Sequence, residues 1–229
     1  MTRTRMLISG GALLAGAVVL GWVIVVLFGG AVEGLDPSWN RLMGQIRQPW
    51  MLTIAYALNI IGGGWNAILV VPLLIIGLLL ALRRWRAAVY AAAAFVVSVG
   101  LTQLIKEIFG RSRPEDLLVA SDFGSFPSGH TANAATIAAV LIIVFRRWWV
   151  VIAGIIWTVV MALSRTILSV HWLTDTIGAI LVGAAAAMLV AAVLGRWARL
   201  PGFEQLVPGP DESGPSGPSE PGPRTKGLS

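Results

Sequence analysis

Cysteine is absent from the 229 residues. No disulfide or thiolate metal site can form, and cysteine usage leaves the redox compartment unmarked. Charge is scarce as well: Asp, Glu, Lys and Arg make up only 12% of the chain, about half the share in an ordinary soluble domain. Histidine occurs twice, at His130 and His171. What fills the space is apolar. Hydrophobic residues reach 56% and the mean hydropathy is +0.80, which excludes an ordinary water-soluble domain and predicts a membrane protein.

The few charges divide the chain into uncharged runs at 6–32, 48–82, 87–105, 123–145, 148–164 and 176–195. A crossing needs about 20 mostly apolar residues, so five runs suit one crossing each. The 48–82 run is too long and carries "GGG" at 62–64. It divides into an interfacial helix over 49–61 and a second span over 65–82, in which Pro72 is expected to kink the helix. The predicted fold class is therefore all-α, a bundle of six transmembrane helices over residues 1–199 with an interfacial helix before the second span. The leader "MTRTR" could open a signal peptide, but the apolar stretch after it exceeds the roughly 7–15 residues of a signal core; an uncleaved first span is predicted. Residues 200–229 hold seven of the twelve prolines and too little apolar area to fold, and are predicted to be a disordered cytoplasmic tail. No internal repeat is visible.

A net charge of +6 would suggest nucleic acid in a soluble protein, but in a membrane protein basic residues report orientation. With six crossings threaded in order, nine arginines (positions 3, 5, 83, 84, 86, 146, 147, 196 and 199) fall on one side. Six basic residues, Arg41, Arg47, Lys106, Arg111, Arg113 and Arg165, fall on the other. The richer side is predicted to be cytoplasmic, with both termini there. Trp85, Trp148, Trp149 and Trp197 then sit at the inner edge and Trp39, Trp50, Trp65 and Trp172 at the outer, while Trp22 and Trp157 fit neither belt. No charge falls in the middle of a span, so the polar chemistry gathers at the outer surface.

Three stretches there carry that chemistry: "KEIFGRSRP" at 106–114, "PSGH" at 127–130 and "SRTILSVHWLTD" at 164–175. Each has a plain reading alone. Lys106, Arg113 and Arg165 could be snorkelling anchors; Ser128 could be an ordinary helix cap; His171 and Asp175 could be a satisfied i, i+4 pair. Those readings fail jointly, because the basic residues cluster beside both histidines on the side where they are least expected. Three fixed cations and the N-terminus of the helix after Ser128 make a site for a phosphoryl group. One imidazole can attack phosphorus and the other can protonate the departing oxygen, with Asp175 holding the His171 tautomer.

In these motifs the chain resembles the type 2 phosphatidic acid phosphatases, or lipid phosphate phosphatases. Their signatures are Lys, six residues, Arg-Pro; then Pro-Ser-Gly-His; then Ser-Arg, five residues, His, three residues, Asp. All three are present without departure, as Lys106 to Arg113-Pro114, Pro127 to His130, and Ser164-Arg165 through His171 to Asp175. The resemblance covers about residues 60–195. It implies six transmembrane helices, cofactor-free and metal-independent hydrolysis of a phosphomonoester or diphosphate, and His171 as the nucleophile of a phosphohistidine intermediate. It makes His130 the acid, Asp175 the partner of His171, and Lys106, Arg113, Ser128, Gly129 and Arg165 the phosphate cradle.

The rivals are weaker. A metal bound by His130, His171 and Asp175 would be repelled by the three cations beside them. A transporter usually carries polar groups at the midplane and inverted repeats, neither of which is visible, and a non-catalytic membrane protein with an anion site leaves the paired histidines unexplained. A phosphotransferase could use the same phosphohistidine. The expected partners are the bilayer and a membrane lipid phosphate such as phosphatidate, phosphatidylglycerol phosphate or a polyprenyl diphosphate, with no nucleic acid; the oligomeric state is not fixed by the sequence.

Overall fold

The computed structural model describes residues 2–28, 34–63 and 66–203. Its regular elements are all helical. Helix α1 spans Arg3–Trp22 and runs on as a π-helical turn, Val23–Leu27; α2 spans Leu35–Ile46 and α3 Pro49–Ile61; a π-helical turn at Asn66–Val70 leads into α4, Val71–Ala81. Then follow α5, Trp85–Phe109; α6, Gly129–Phe145; α7, Trp148–Ile167; and α8, Leu173–Leu194.

The boundaries have local causes. Pro49 opens α3 at a position whose N–H would be unpaired anyway. Gly110 closes α5 in the left-handed conformation, φ 51°, and its N–H returns to the Lys106 carbonyl. Pro72 does not kink a helix interior; it stands in the first turn of α4, where π-helical winding gives way to α. Lys106, Arg165 and Asp175 lie inside helical turns, so α5, α7 and α8 run further than the charge-bounded runs predicted. The amphipathic α2 was not anticipated.

Small residues let the helices approach closely. Gly178, Ala179, Gly183, Ala187 and Ala191 are buried along α8, against which α1, α5 and α6 pack; α7 then packs on α6, α3 on α7 and α4 on α5. Leu79, Tyr90, Val140, Val144 and Ala187 form one core, while Ala17, Ile24, Ile105, Phe126 and Val182 form another. Leu200 and Phe203 belong to the first, so packing extends to Phe203. The rest of the predicted tail, 204–229, lies outside the described residues.

The outer surface is apolar: Val96, Leu74, Val193 and Trp148 are each at least 66% exposed, an unfavourable surface in water and the natural one in lipid. Among the described residues, four helices are long and apolar enough to cross a membrane: Arg3–Leu27, Trp85–Phe109, Trp148–Ile167 and Leu173–Leu194. Helices α3, α4 and α6 are apolar but shorter.

Candidate active site

The last turns of α5 and α7 carry Lys106 and Arg165, the first turn of α6 carries His130, and the loop after α5 and the α7–α8 connection supply Arg113 and His171. All five, with Gly129, line one cavity of about 690 Å³. Of the eight residues singled out from the sequence, only Ser128 and Asp175 do not line it; both are fully buried behind its wall. Ser128 holds the N-cap position of α6, but its side chain makes no capping bond. The first-turn N–H groups of α6 are therefore not consumed by it.

His171 is held in one tautomer. Its Nδ1 lies 2.8 Å from the Ser125 carbonyl oxygen, which can only accept, so Nδ1 carries the proton. Its Nε2 lies 3.3 Å from Nη1 of Arg113, which can only donate, so Nε2 keeps its lone pair. Burial, with Arg113, Arg165 and Lys106 nearby, holds this imidazole well below the usual histidine range. A neutral ring whose Nε2 carries a lone pair, here turned to Arg113, is the form from which a nucleophile can act once an entering phosphoryl group takes the place of that contact. Asp175 was expected to fix this tautomer, but its Oδ2 is 3.5 Å from Nδ1 and accepts the Trp172 N–H at 2.9 Å. The shorter contact belongs to a backbone carbonyl, and Asp175 adds its charge from behind.

The cations are not alike. Arg113 has every N–H engaged: Nε on the Asp122 carbonyl (3.0 Å), Nη1 on the Val170 carbonyl (2.6 Å) and His171, and Nη2 on the Asp122 carboxylate (2.6 Å) and the Gly124 carbonyl (2.9 Å). Asp122 also lies 3.2 Å from the Lys106 ammonium. Burial tends to raise the Asp122 carboxyl, but Lys106 and Arg113 outweigh it and hold the group below the usual carboxylate range. Arg165 differs. It is 1% exposed, gives Nη2 to the Asn59 side-chain oxygen at 2.9 Å, and has no partner at Nε or Nη1. A buried guanidinium with unmet donors is costly unless an anion completes it.

Asn59 also touches His130, whose Nε2 is 3.2 Å from its backbone carbonyl; that nitrogen carries a proton. The glycine run explains the close fit. A Cβ on Gly62 would come within 2.9 Å of His130 Cδ2, and one on Gly63 within 2.9 Å of His130 Nε2 and 2.6 Å of the Asn59 carbonyl. In the sequence alone these glycines mark only a break between helices.

Behind the cavity, Arg111 is buried between two carboxylates, 2.6 Å from Asp36 and 2.5 Å from Asp175. Asp36, from α2, also accepts from the Thr174 hydroxyl (2.6 Å) and N–H (3.0 Å). Asn59, Asp122, Ser125, Asp36 and Arg111 were not identified as site residues from the sequence. Only the position of Arg111 inside the first motif hinted at a role.

Comparison with known proteins accords with this geometry. Residues 87–199 match the family model described as "PAP2 superfamily". The chain is 29% identical over 165 residues to phosphatidylglycerophosphatase B of Bacillus subtilis, covering 67% of this chain and 80% of that protein. It is 30% identical over 116 residues to an undecaprenyl-diphosphatase of Sulfolobus acidocaldarius, covering 46% and 55%. Among solved structures, the transmembrane PAP2 type phosphatidylglycerolphosphate phosphatase of Bacillus subtilis superposes with a TM-score of 0.66 at 26% identity, over 81% of this chain and 95% of that one. LpxE of Aquifex aeolicus shares the fold, with a TM-score of 0.59 at 23% identity over 70% and 98%. An apolar helical bundle and three motifs converging on one cavity accord with the likeness of residues 87–199 to the PAP2 superfamily, and the relatives named here are phosphatases.

Proposed function

We propose that the protein is an integral-membrane lipid phosphatase that removes the terminal phosphate from a lipid phosphomonoester or a polyprenyl diphosphate through a phosphohistidine at His171. The observation that carries this reading is one cavity lined by Lys106, Arg113, Arg165 and both histidines, with Arg165 itself buried and without a partner at Nε or Nη1. Its donor set suits the tetrahedral oxygens of phosphate.

Nε2 of His171 attacks phosphorus as the bond to the lipid oxygen breaks, and His130, which enters this step as the imidazolium with Nε2–H on the Asn59 carbonyl, gives that oxygen its other ring proton and becomes neutral. The positive charge that forms on the His171 ring is stabilised by the Ser125 carbonyl and by Asp175. Water, deprotonated by His130, then attacks the phosphohistidine, releasing phosphate and restoring both rings. Lys106, Arg113, Arg165 and the first-turn N–H groups of α6 hold the phosphoryl oxygens throughout.

The arginine distribution supports six crossings, formed by α1, the Asn66–Ala81 segment and α5 to α8, with α3 at the interface. It also supports an extracytoplasmic site with both termini inside. Ile60 and Val99, exposed on the apolar outer surface, also line the cavity, which gives a lipid a sideways path to the cations. Phosphate release by the purified protein in detergent, measured against phosphatidate, phosphatidylglycerol phosphate and a polyprenyl diphosphate, tests the reading. No release from any of them refutes it.

A further inference from the structure

Asp36 stands in the first turn of α2, outside the stretch matched by the family model, and neither it nor Arg111 lines the cavity. Its side chain, that of Arg111 and that of Asp175 are all fully buried. A carboxylate in such a place needs donors for both oxygens. Asp36 has them: Oδ1 accepts the Thr174 N–H at 3.0 Å, and Oδ2 accepts from the Thr174 hydroxyl and from Nη2 of Arg111, each at 2.6 Å. The other arm of Arg111, Nη1, donates to Oδ1 of Asp175 and to the Thr174 hydroxyl. The guanidinium is thus shared, one arm to each carboxylate. Two carboxylates and one guanidinium leave these three side chains with a surplus negative charge.

That division decides what Asp175 can offer His171. Arg111 holds Oδ1 alone, so Oδ2 stays on the Trp172 N–H at 2.9 Å and lies 3.5 Å from Nδ1 of His171. An arginine facing a lone carboxylate favours the bidentate fork, both arms on both oxygens. Released from Asp36, Nη2 would close that fork on Asp175, draw Oδ2 from the ring and cancel the charge behind it. Charge counting points the same way. The His171 ring is neutral before the reaction and becomes positive when Nε2 bonds to phosphorus, and the surplus negative charge behind it is then matched. An Arg111–Asp175 pair by itself would be neutral throughout and would leave the new charge without that support in a buried place. The cavity side cannot supply it. Arg113, Arg165 and Lys106 there are cations, and the Asp122 carboxylate is engaged by two of them.

Resting on the phosphatase reading, we propose that Asp36 is a positioning residue for the nucleophile: by holding one arm of Arg111 it keeps Asp175 singly paired, with its second oxygen and its charge left to stabilise the positive ring at His171. Asp36 touches neither the substrate nor the reacting atoms and acts through Arg111 and Asp175.

The test pairs kcat/KM for p-nitrophenyl phosphate, which is governed by the steps up to nitrophenolate release, with the inhibition constant of inorganic phosphate. In Asp36→Asn, kcat/KM should fall on the order of tenfold, the effect of one charge acting through a partly screened path, while phosphate inhibits as in wild type. A double-mutant cycle separates this from loosened packing. Asp175→Asn should lose rate by itself, and adding Asp36→Asn to it should cost nothing further, because Asp36 then has no charge left to preserve. Additive losses overturn the proposal, as do a wild-type rate in Asp36→Asn and a loss of rate matched by an equal weakening of phosphate inhibition. Asp36→Glu, which keeps a carboxylate for Nη2, should return most of the rate. It also decides the matter if Asp36→Asn does not fold, since a folded Asp36→Glu that is about tenfold slower than wild type overturns the proposal. Absence of phosphate release from every lipid by the wild-type protein would remove the phosphatase reading itself, and would be seen before any variant is compared.

Discussion

Replacing Asp122 by Asn should tighten the binding of phosphate and vanadate. The Asp122 carboxylate sits 2.6 Å from Arg113 and 3.2 Å from Lys106, on cations that a phosphoryl group needs, and Arg113 has no other donor to spare. An entering anion must displace this carboxylate or share its partners while being repelled by it. Asp122 is 65% exposed at its side chain, so water screens the pair, and each such contact contributes about 0.2–1 kcal/mol. Relief of both contacts amounts to roughly 1 kcal/mol, or about a fivefold lower inhibition constant. The pair should act at neutral pH because the two cations keep Asp122 ionised. Competitive inhibition by phosphate and by vanadate, read with p-nitrophenyl phosphate as substrate, measures the effect without involving a lipid pocket. A weaker inhibition by both anions in Asp122→Asn would show that the carboxylate holds Lys106 and Arg113 in place for the anion instead of competing with it.

Other outcomes follow from the same geometry. His171→Ala should abolish hydrolysis of lipid and aryl phosphates alike, whereas His130→Ala should lose about 10²–10⁴-fold on a lipid monoester and much less in the burst of nitrophenolate, whose oxygen needs no proton; equal losses would refute the acid role of His130. Gly63→Ala should cut kcat on the order of 10²-fold by pushing the Asn59 carbonyl and His130 apart, and wild-type activity in that variant would show that the fit is not needed. Because burial holds His171 neutral in the fold, the unfolded chain binds the extra proton below pH 6.5. Stability from this group is therefore present above that pH and lost as pH falls, and the thermal midpoint of wild type minus that of His171→Gln should shrink on going from pH 7.5 to 5. A difference independent of pH refutes the buried neutral ring. A membrane-impermeant thiol reagent should label Ser121→Cys in intact cells and Arg147→Cys only after permeabilisation; the reverse would overturn the proposed orientation.

The parts of the site legible in the sequence were those that one short segment encodes by itself. Lys106 and Arg113, or Arg165, His171 and Asp175, announce themselves because unusual charges stand at fixed spacing beside apolar runs. The 49–61 helix was equally plain, since Pro49 and the glycines mark both its ends. What could not be read depends on a partner chosen by the fold. The acceptor for His171 is a backbone carbonyl, which any residue at position 125 would supply. Asn59 looks like an ordinary polar residue in an apolar helix until α3 packs on α7 and delivers it to Arg165. Asp36 and Arg111 are 75 residues apart, and no local pattern joins them.

The Asp36–Arg111 pair bears on where this enzyme can be cut. The stretch matched by the family model starts at residue 87, yet Asp36, Asn59, Gly62 and Gly63 all precede it. A chain begun at residue 87 would keep every signature side chain and would strand Arg111 with one of its two carboxylates, a loss on the order of 3–5 kcal/mol for a broken buried pair. It would also leave Arg165 without Asn59 and His130 without its neighbours. The portion that matches the family model is thus smaller than the portion that holds the two histidines in place, and a fragment that keeps this arrangement has to begin before α2.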